Sequence, residues 1–541
     1  MNAIFYNGKI ITMESRNGQL AIQNAPEAIL VENGSIKKVG TLTDVRYASG
    51  PLTEEFDLKG RCLLPSFIDA HSHFVMNGQL SLCADLSGCG SYDEIINTLK
   101  QYIREHRITK CEAVLGFGYD HNFLKEGGQP DKRVLDQVSA ELPIFVLHVS
   151  AHLACANSMA LQLAGIHAKT ENPQGGVIGR FPGSSEPTGY LEENAMVPVQ
   201  NMIAQKLNIN VSDRLEHMQD IYISNGITTA QDGATSEKDM LFLEALSSSG
   251  ALKMDLVAYP LMTAGGTNIL HSHQSYCRSY RNRLKIGGYK LILDGSPQGR
   301  SAWLTQPYFH GAPDYCGYPW LDDQTVKDFI STAVQENQQL LVHCNGDAAS
   351  EQYLNTYESV IKETRNTQEL RPVMIHCQTV RDDQLDRMAK LNMIASIFVG
   401  HVWYWGDIHK KNLGEIRGNH ISPVKSAVDR GVIVNFHQDS PVTKPNMLHS
   451  IWCAVNRYSR SGSIIGEDQK ISVYEALKAV TLNAAYQYFE ENEKGSIKEG
   501  KRADLIILDQ SPLEVAPKDI KNLKVLMTIK DGNVIFQSQR N

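Results

Sequence analysis

Hydrophobic and polar positions divide the chain into three zones. In the first sixty residues, short runs with β-type spacing are broken by turn dipeptides: IFYNGKIITM turns at Asn7-Gly8, and AILVENGSIKKVG turns at Asn33-Gly34. Asn-Gly accepts the positive φ angles of a tight hairpin, so both stretches predict hairpins. The far end repeats the pattern in ADLIILD and LMTIKDGNVIF, with Asp531-Gly532 as the turn. Neither terminal segment can bury a core alone, and residues 1–64 and 487–541 are expected to complete one small β-sandwich together.

Between them the period changes. From Pro65 to Tyr486 apolar runs alternate with amphipathic stretches, which predicts βαβ units and a parallel sheet. Eight runs stand out: LLPSFIDA, GITTAQDG, LVAYPLM, YKLILDG, QLLVHCNG, RPVMIHCQT, MIASIFVGH and GVIVNFHQD. Eight is the number a closed (β/α)8 TIM barrel needs, but the zone is longer than the about 250 residues of a bare barrel. An insertion is therefore expected after strand 1, from about Asp85 to Asn210. It has its own strands, EAVLGFG and LPIFVLHVS, and a Gly/Pro-rich loop, GGVIGRFPGSSEPTG. Starting at the C-terminal end of the first strand, it is expected to sit over the barrel mouth, where loops carry function. The fold class is α/β, a barrel with an insertion plus a sandwich built from both termini.

Composition narrows the function. With 42% hydrophobic and 21% charged residues the chain can bury a full core, which excludes disorder. A balance of 52 basic against 60 acidic residues gives a net charge of −8, the wrong sign for a polyanion-binding surface, so nucleic acid is excluded as a partner. No window of 18 uncharged apolar residues occurs, and Met1 to Ser15 has neither a basic opening nor an apolar run, so neither a membrane span nor a secretory signal is expected. The ten cysteines form no CxxC knuckle and are read as free thiols in a cytoplasmic protein.

The sharpest chemical signal is His71-Ser72-His73, directly after LLPSFIDA. Residues two apart on an extended strand face one side, so both imidazoles point into one space, as chelation requires. A second pair, His271-Ser272-His273, follows no strong strand run and is expected to be a decoy. His343 closes QLLVH, and His376 closes RPVMIH one βα repeat later. Asp439 follows GVIVNFHQ two repeats further on, with MIASIFVGH between. These side chains are expected to converge on one rim of the barrel. Cys344 and Cys377, each beside a histidine, are read as small buried hydrophobes rather than ligands.

The segments LLPSFIDAHSHF, GFGYDHNFL, AHLACANSMAL, GITTAQDG, YKLILDGSPQGRSA, VHCNGDAA, HCQTV, HQDSPV and GSIKEGKRADLIILD together resemble the amidohydrolase superfamily, in particular its amidohydrolase-3, YtcJ-like branch. The resemblance covers nearly the whole chain. It implies a metal-dependent hydrolase on a (β/α)8 barrel that cleaves a non-peptide C–N bond by metal-activated hydroxide. It also implies that His71, His73 and Asp439 hold one ion, that His343 and His376 hold a second, and that Lys290, carboxylated, bridges them. Two Zn2+ ions suit imidazole and carboxylate ligands at an open site, with Mn2+, Fe2+ or Co2+ fitting the same set. Asp439 is then the catalytic acid/base, taking a proton from water and returning it to the leaving nitrogen. HQDSPV departs from the branch by placing His437 and Gln438 before the acid, which bears on the pocket floor.

Tyr119, Asp120, His152, Ser296, Arg300, Trp303, His401, Trp403 and Trp405 lie in loops or near strand ends and are candidate contacts to a small-molecule substrate. Self-association as a homodimer is left open, and so are two other functions. A deaminase of aminoheterocycles uses one metal and a Glu soon after the strand-five histidine, whereas His343 is followed by Cys344-Asn345-Gly346-Asp347. A catalytically silent binding module is expected to lose ligands, and here each ligand type is present.

Overall fold

The computed structural model describes residues 2–16, 19–20, 25–81, 83–207, 215–310 and 312–538. The predicted end of the insertion at Asn210, Met1 and positions 539–541 lie outside the described residues. Two parallel sheets form the middle of the chain. Phe67–Ile68, Ile227–Thr235, Asp255–Pro260 and Leu284–Ile286 pair in that order, and Gly288–Ile292, Gln339–Cys344, Val373–His376, Ile394–Ile397 and Val434–Phe436 follow in a second sheet. Leu284–Ile286 and Gly288–Ile292 are consecutive in the chain, so one strand run hands the first arc to the second, and a parallel bridge between Leu261 and Lys290 reinforces the junction. Helices such as Glu237–Ser248, Asp323–Gln335, Asp347–Thr364 and Asp382–Lys390 make the crossovers. Strands covered on both faces read as continuous apolar runs, and all six residues of Gln339–Cys344 are buried. At the far edges, His73 N–H donates to Ser440 O at 2.8 Å, which draws the segment after the last strand toward the end of the first.

Between the first and second parallel strands lies a mixed six-stranded sheet: Ala84–Asp85, Val114–Tyr119, Ile144–His148, Leu153–Ala156, Pro187–Glu193 and Gly176–Arg180, in that order. The last two come from the stretch expected to be a Gly/Pro-rich loop. It folds instead as an antiparallel hairpin, because PTGYLEE alternates strictly between buried and half-buried positions and only residues between Arg180 and Pro187 turn.

The termini form two further sheets. One runs Ser35–Gly40, Ala28–Glu32, Ala3–Tyr6, Glu54–Asp57; the other joins Lys9–Ile10 and Cys62–Pro65 to Leu505–Leu508, Val525–Lys530 and Asn533–Gln537. Phe5, Ile29, Val31, Leu63, Leu505, Ile507 and Ile529 share one apolar cluster, so both ends of the chain bury one another. Lys494 and Lys530 each reach the buried Asp255 at 2.7 Å and pin the C-terminal segment beneath the parallel strands.

Candidate metal centre

The histidines and Asp439 sit at or just past the ends of parallel strands, while Lys290 lies within Gly288–Ile292. His71 and His73 follow Phe67–Ile68, with His73 bridged to Asp232 on the next strand. His71 Nδ1 is 2.5 Å from Gln231 Oε1, and Gln231 Nε2 donates to Ala70 O at 2.9 Å and to the Tyr488 hydroxyl at 3.1 Å. The amide is thereby held with its oxygen toward the ring, which puts the His71 proton on Nδ1 and turns the Nε2 lone pair inward. The seat is tight: a Cβ on Gly233 would lie 2.4 Å from His71 Cε1.

Asp439 is the hub. Its Oδ1 lies 3.3 Å from His71 Nε2 and 3.3 Å from His73 Nε2, and its Oδ2 lies 3.9 Å from His376 Nε2. His376 Nε2 is in turn 3.0 Å from His343 Nδ1, and Lys290 Nζ is 3.3 Å from His71 Nε2. Among the described residues Oδ1 of Asp439 is buried and receives no hydrogen bond. His376 and Asp439 both adopt positive φ, 79° and 54°, so the strand ends are bent into a conformation that only the surrounding packing sustains.

Electrostatics favour ligand forms. Burial drives the pKa values of His71, His343 and His376 well below the usual imidazole range, with the neighbouring Lys290, His152 and His343 respectively acting the same way. Burial pushes Asp439 upward, but His376, His73 and His71 outweigh it and hold the carboxyl ionised. Burial lowers Lys290 to about 7, against the opposing pull of Asp439.

A profile described as the amidohydrolase family matches residues 54–536. The chain belongs to the amidohydrolase family. It is similar over 99% of its length to YtcJ of Bacillus subtilis (strain 168), at 29% identity and covering all of that protein. To the N-substituted formamide deformylase of Arthrobacter pascens it is 28% identical, covering 98% of this chain and 97% of the relative. A crystal structure of a metal-dependent hydrolase from Pyrococcus furiosus superposes with a TM-score of 0.72 at 25% identity, covering 95% of this chain and all of the other.

In this amidohydrolase the candidate substrate contacts divide. His152 faces the centre: its ring lies 5.3 Å from that of His343, and its Nδ1–H donates to Glu193 Oε2 at 2.8 Å. Burial opposes the charged form of His152, yet Glu193 raises its pKa overall. Ser296 is buried with its hydroxyl unpartnered among the described residues, and Trp303 N–H donates to Asp294 at 3.0 Å. His401 is buried, its Nδ1 2.9 Å from His409 Nε2 and its ring against Phe398 and Trp405. Asp120 accepts from Trp405 Nε1 at 2.7 Å, and Arg300 is exposed, bonded to His310 O at 3.1 Å.

Two candidates are corrected. Tyr119 is fully buried in the core of the inserted sheet, its hydroxyl taken by Gln129 at 2.8 Å and Cys155 at 3.3 Å, so it has no face for a substrate. Trp403 lies two residues from His401 on one helix and so points to the opposite side; it packs on Trp452 with Lys521 over its ring. Cys344 and Cys377 are buried as small apolar side chains.

Sequence reasoning placed His437 at the pocket floor but missed its contact with the ligand set: its Nε2 is 3.2 Å from His376 Nδ1 and its Nδ1 is 3.0 Å from Ser396 Oγ. Its position two residues before Asp439, directly after the last strand, was the available signal. Gln231 and Glu193 were also missed, and no motif marks either one.

Proposed function

We propose that this chain is a divalent-metal-dependent hydrolase of a non-peptide C–N bond in an amide, formamide or cyclic amide. The observation that carries the reading is the convergence of three inward imidazole nitrogens on an ionised, buried Asp439 whose Oδ1 lacks a donor. Neutral histidines around a carboxylate fit a zinc-type ion, with manganese, iron or cobalt suited to the same atoms. His71, His73 and Asp439 would hold one ion, His343 and His376 a second, with Lys290 as a carbamate shared between them. A lysine lowered to about 7 has the free amine that carbamate formation needs. Bound there, a divalent ion supplies Lewis-acid polarisation of a carbonyl and lowers the pKa of water toward neutrality.

The chain's own residues do the rest. Asp439, ionised and at the centre of the donors, takes a proton from the attacking water and returns it to the nitrogen as the C–N bond breaks. His152, oriented by Glu193, lines the pocket across from His343. The formamide deformylase likeness supports formamides as one substrate class. In this reading the two parallel arcs close as a (β/α)8 barrel, with residues 65–486 carrying the insertion and the terminal sheets forming the sandwich.

The test is metal content per chain, combined with activity toward a panel of amides, formamides, cyclic imides and aminoheterocycles. At least two ions, loss of activity with chelator and turnover of one of the first three classes are expected. A fully active metal-free preparation would overturn the reading, and turnover of aminoheterocycles alone would move it to a deaminase.

A further inference from the structure

The inserted sheet holds a second convergence of ligand types that the hydrolase site does not use: Asp120, His121 and His148. Tyr119 and His148 are register partners on adjacent parallel strands, so the two strand ends deliver Asp120, His121 and His148 to one place. His121 Nδ1 is 3.2 Å from His148 Nε2, His148 Nε2 is 3.4 Å from Asp120 Oδ1, and His121 Nδ1 is 3.9 Å from the same oxygen. Atoms bound to a tetrahedral zinc at about 2.0 to 2.1 Å stand roughly 3.3 to 3.4 Å apart. The observed triangle is close to one face of that polyhedron.

The surroundings orient the three groups as metal-ligand supports do. Trp405 Nε1–H donates to Asp120 Oδ2 at 2.7 Å and leaves Oδ1 toward the histidines, where Asn122 also steadies it through its N–H at 3.0 Å and its Nδ2–H at 2.9 Å. His148 Nδ1 is 2.9 Å from Ser150 Oγ; a proton donated there frees Nε2. Burial, then the adjacent His148, lowers His121 to about 4, which keeps its ring neutral. The competing arrangement is metal-free. In it the Ser150 N–H, 3.1 Å from His148 Nδ1, donates to that nitrogen, and the His148 proton sits on Nε2 between the three groups.

We propose that Asp120, His121 and His148 bind a divalent ion of zinc type in the insertion, separate from the hydrolase centre. Asp120 borders a cavity of about 890 Å3, from which a water completes the coordination. The ion ties the insertion to the active-site wall, because Ser150 Oγ accepts the His152 backbone N–H at 3.3 Å and His152 lies against His343.

Equilibrium dialysis of the full chain against micromolar zinc, read by elemental analysis, tests the site. His121 is partly exposed and its ring nitrogen meets His148 and Asp120, both members of the triad, so His121→Gln keeps the fold, as circular dichroism verifies. The variant should bind one ion per chain fewer than wild type. His73→Ala, which disturbs the hydrolase centre, should still show the ion that His121→Gln removes, as the further loss of one ion in the double variant. Equal zinc content in wild type and His121→Gln would overturn the proposal and leave a hydrogen-bonded triad. That outcome is independent of the hydrolase reading, which would fail if His73→Ala left both metal content and activity unchanged.

Discussion

The chain contains the tripeptide His-Ser-His twice, and the two copies do different things. His71 and His73 leave the first parallel strand and meet Asp439, 3.3 Å from each, deep in the protein. His271 belongs to the helix Gly266–Ser272 and His273 caps it. Positions two apart on a helix are about 200° apart around its axis, so those two rings face different neighbours. His271 is half exposed and pairs with Glu336 at 2.9 Å; His273 donates from Nδ1 to Ile269 O at 2.9 Å. Both rings already have ordinary partners, and no third ligand approaches them among the described residues. Backbone period and the arrival of distant strands, rather than the tripeptide, make a chelating pair.

That contrast can be broken in order of decreasing effect. Replacing both His71 and His73 by Ala should lower turnover by about 10⁴-fold or more and remove at least one ion, because the pair holds the chemistry in place. Turnover near wild type would show that the strand-end pair is no more functional than the helical one. Asp439→Asn should keep the fold and cost roughly 10² to 10⁴ in turnover, measured on the best substrate of the panel. Near-normal turnover would remove the proton shuttle. Lys290→Ala should lose tight binding of at least one ion, with activity partly restored by acetate or propionate, whereas Lys290→Arg should resist rescue because its charged guanidinium fills the space. A plain amine on Lys290 in a metallated, active crystal would rule out the carbamate.

Gln231→Leu should weaken metal affinity by about 10- to 100-fold in a chelator competition, since the amide oxygen fixes the His71 tautomer. Unchanged affinity would mean that the ring is held by its packing alone. The smallest effect is reserved for the helical copy. His271→Ala with His273→Ala should leave turnover within about twofold, and His271→Ala alone should change stability by no more than about 0.5 kcal/mol, as for most surface changes. A large loss of bound metal there would end the distinction between the copies.

Much of the architecture was legible because it is local. Apolar runs, Asn-Gly turns and histidines at run ends depend on neighbours a few residues away, and eight of the nine strands in the two parallel sheets fall on expected runs; the ninth, Leu284–Ile286, lies just before YKLILDG and was not expected. The misreadings share one cause. GGVIGRFPGSSEPTG reads as a loop by composition, yet two of its segments pair as strands once Leu153–Ala156 offers an edge to Pro187–Glu193. Tyr119 and Trp403 look like pocket aromatics by position, but the packing of Cys155 and Trp452 against them decides otherwise.

The sequence by itself determined which residue types end which strands, because strand alternation and turn chemistry act over a few residues. Only the tertiary structure decided which imidazole nitrogen faces inward, through Gln231 lying 160 positions from His71. It alone brought Glu193 to His152, and Trp405 to Asp120 across 285 positions. Contacts of that separation leave no local periodicity. They exist once helices and strands pack, when burial makes each unsatisfied polar atom costly enough to select a single partner.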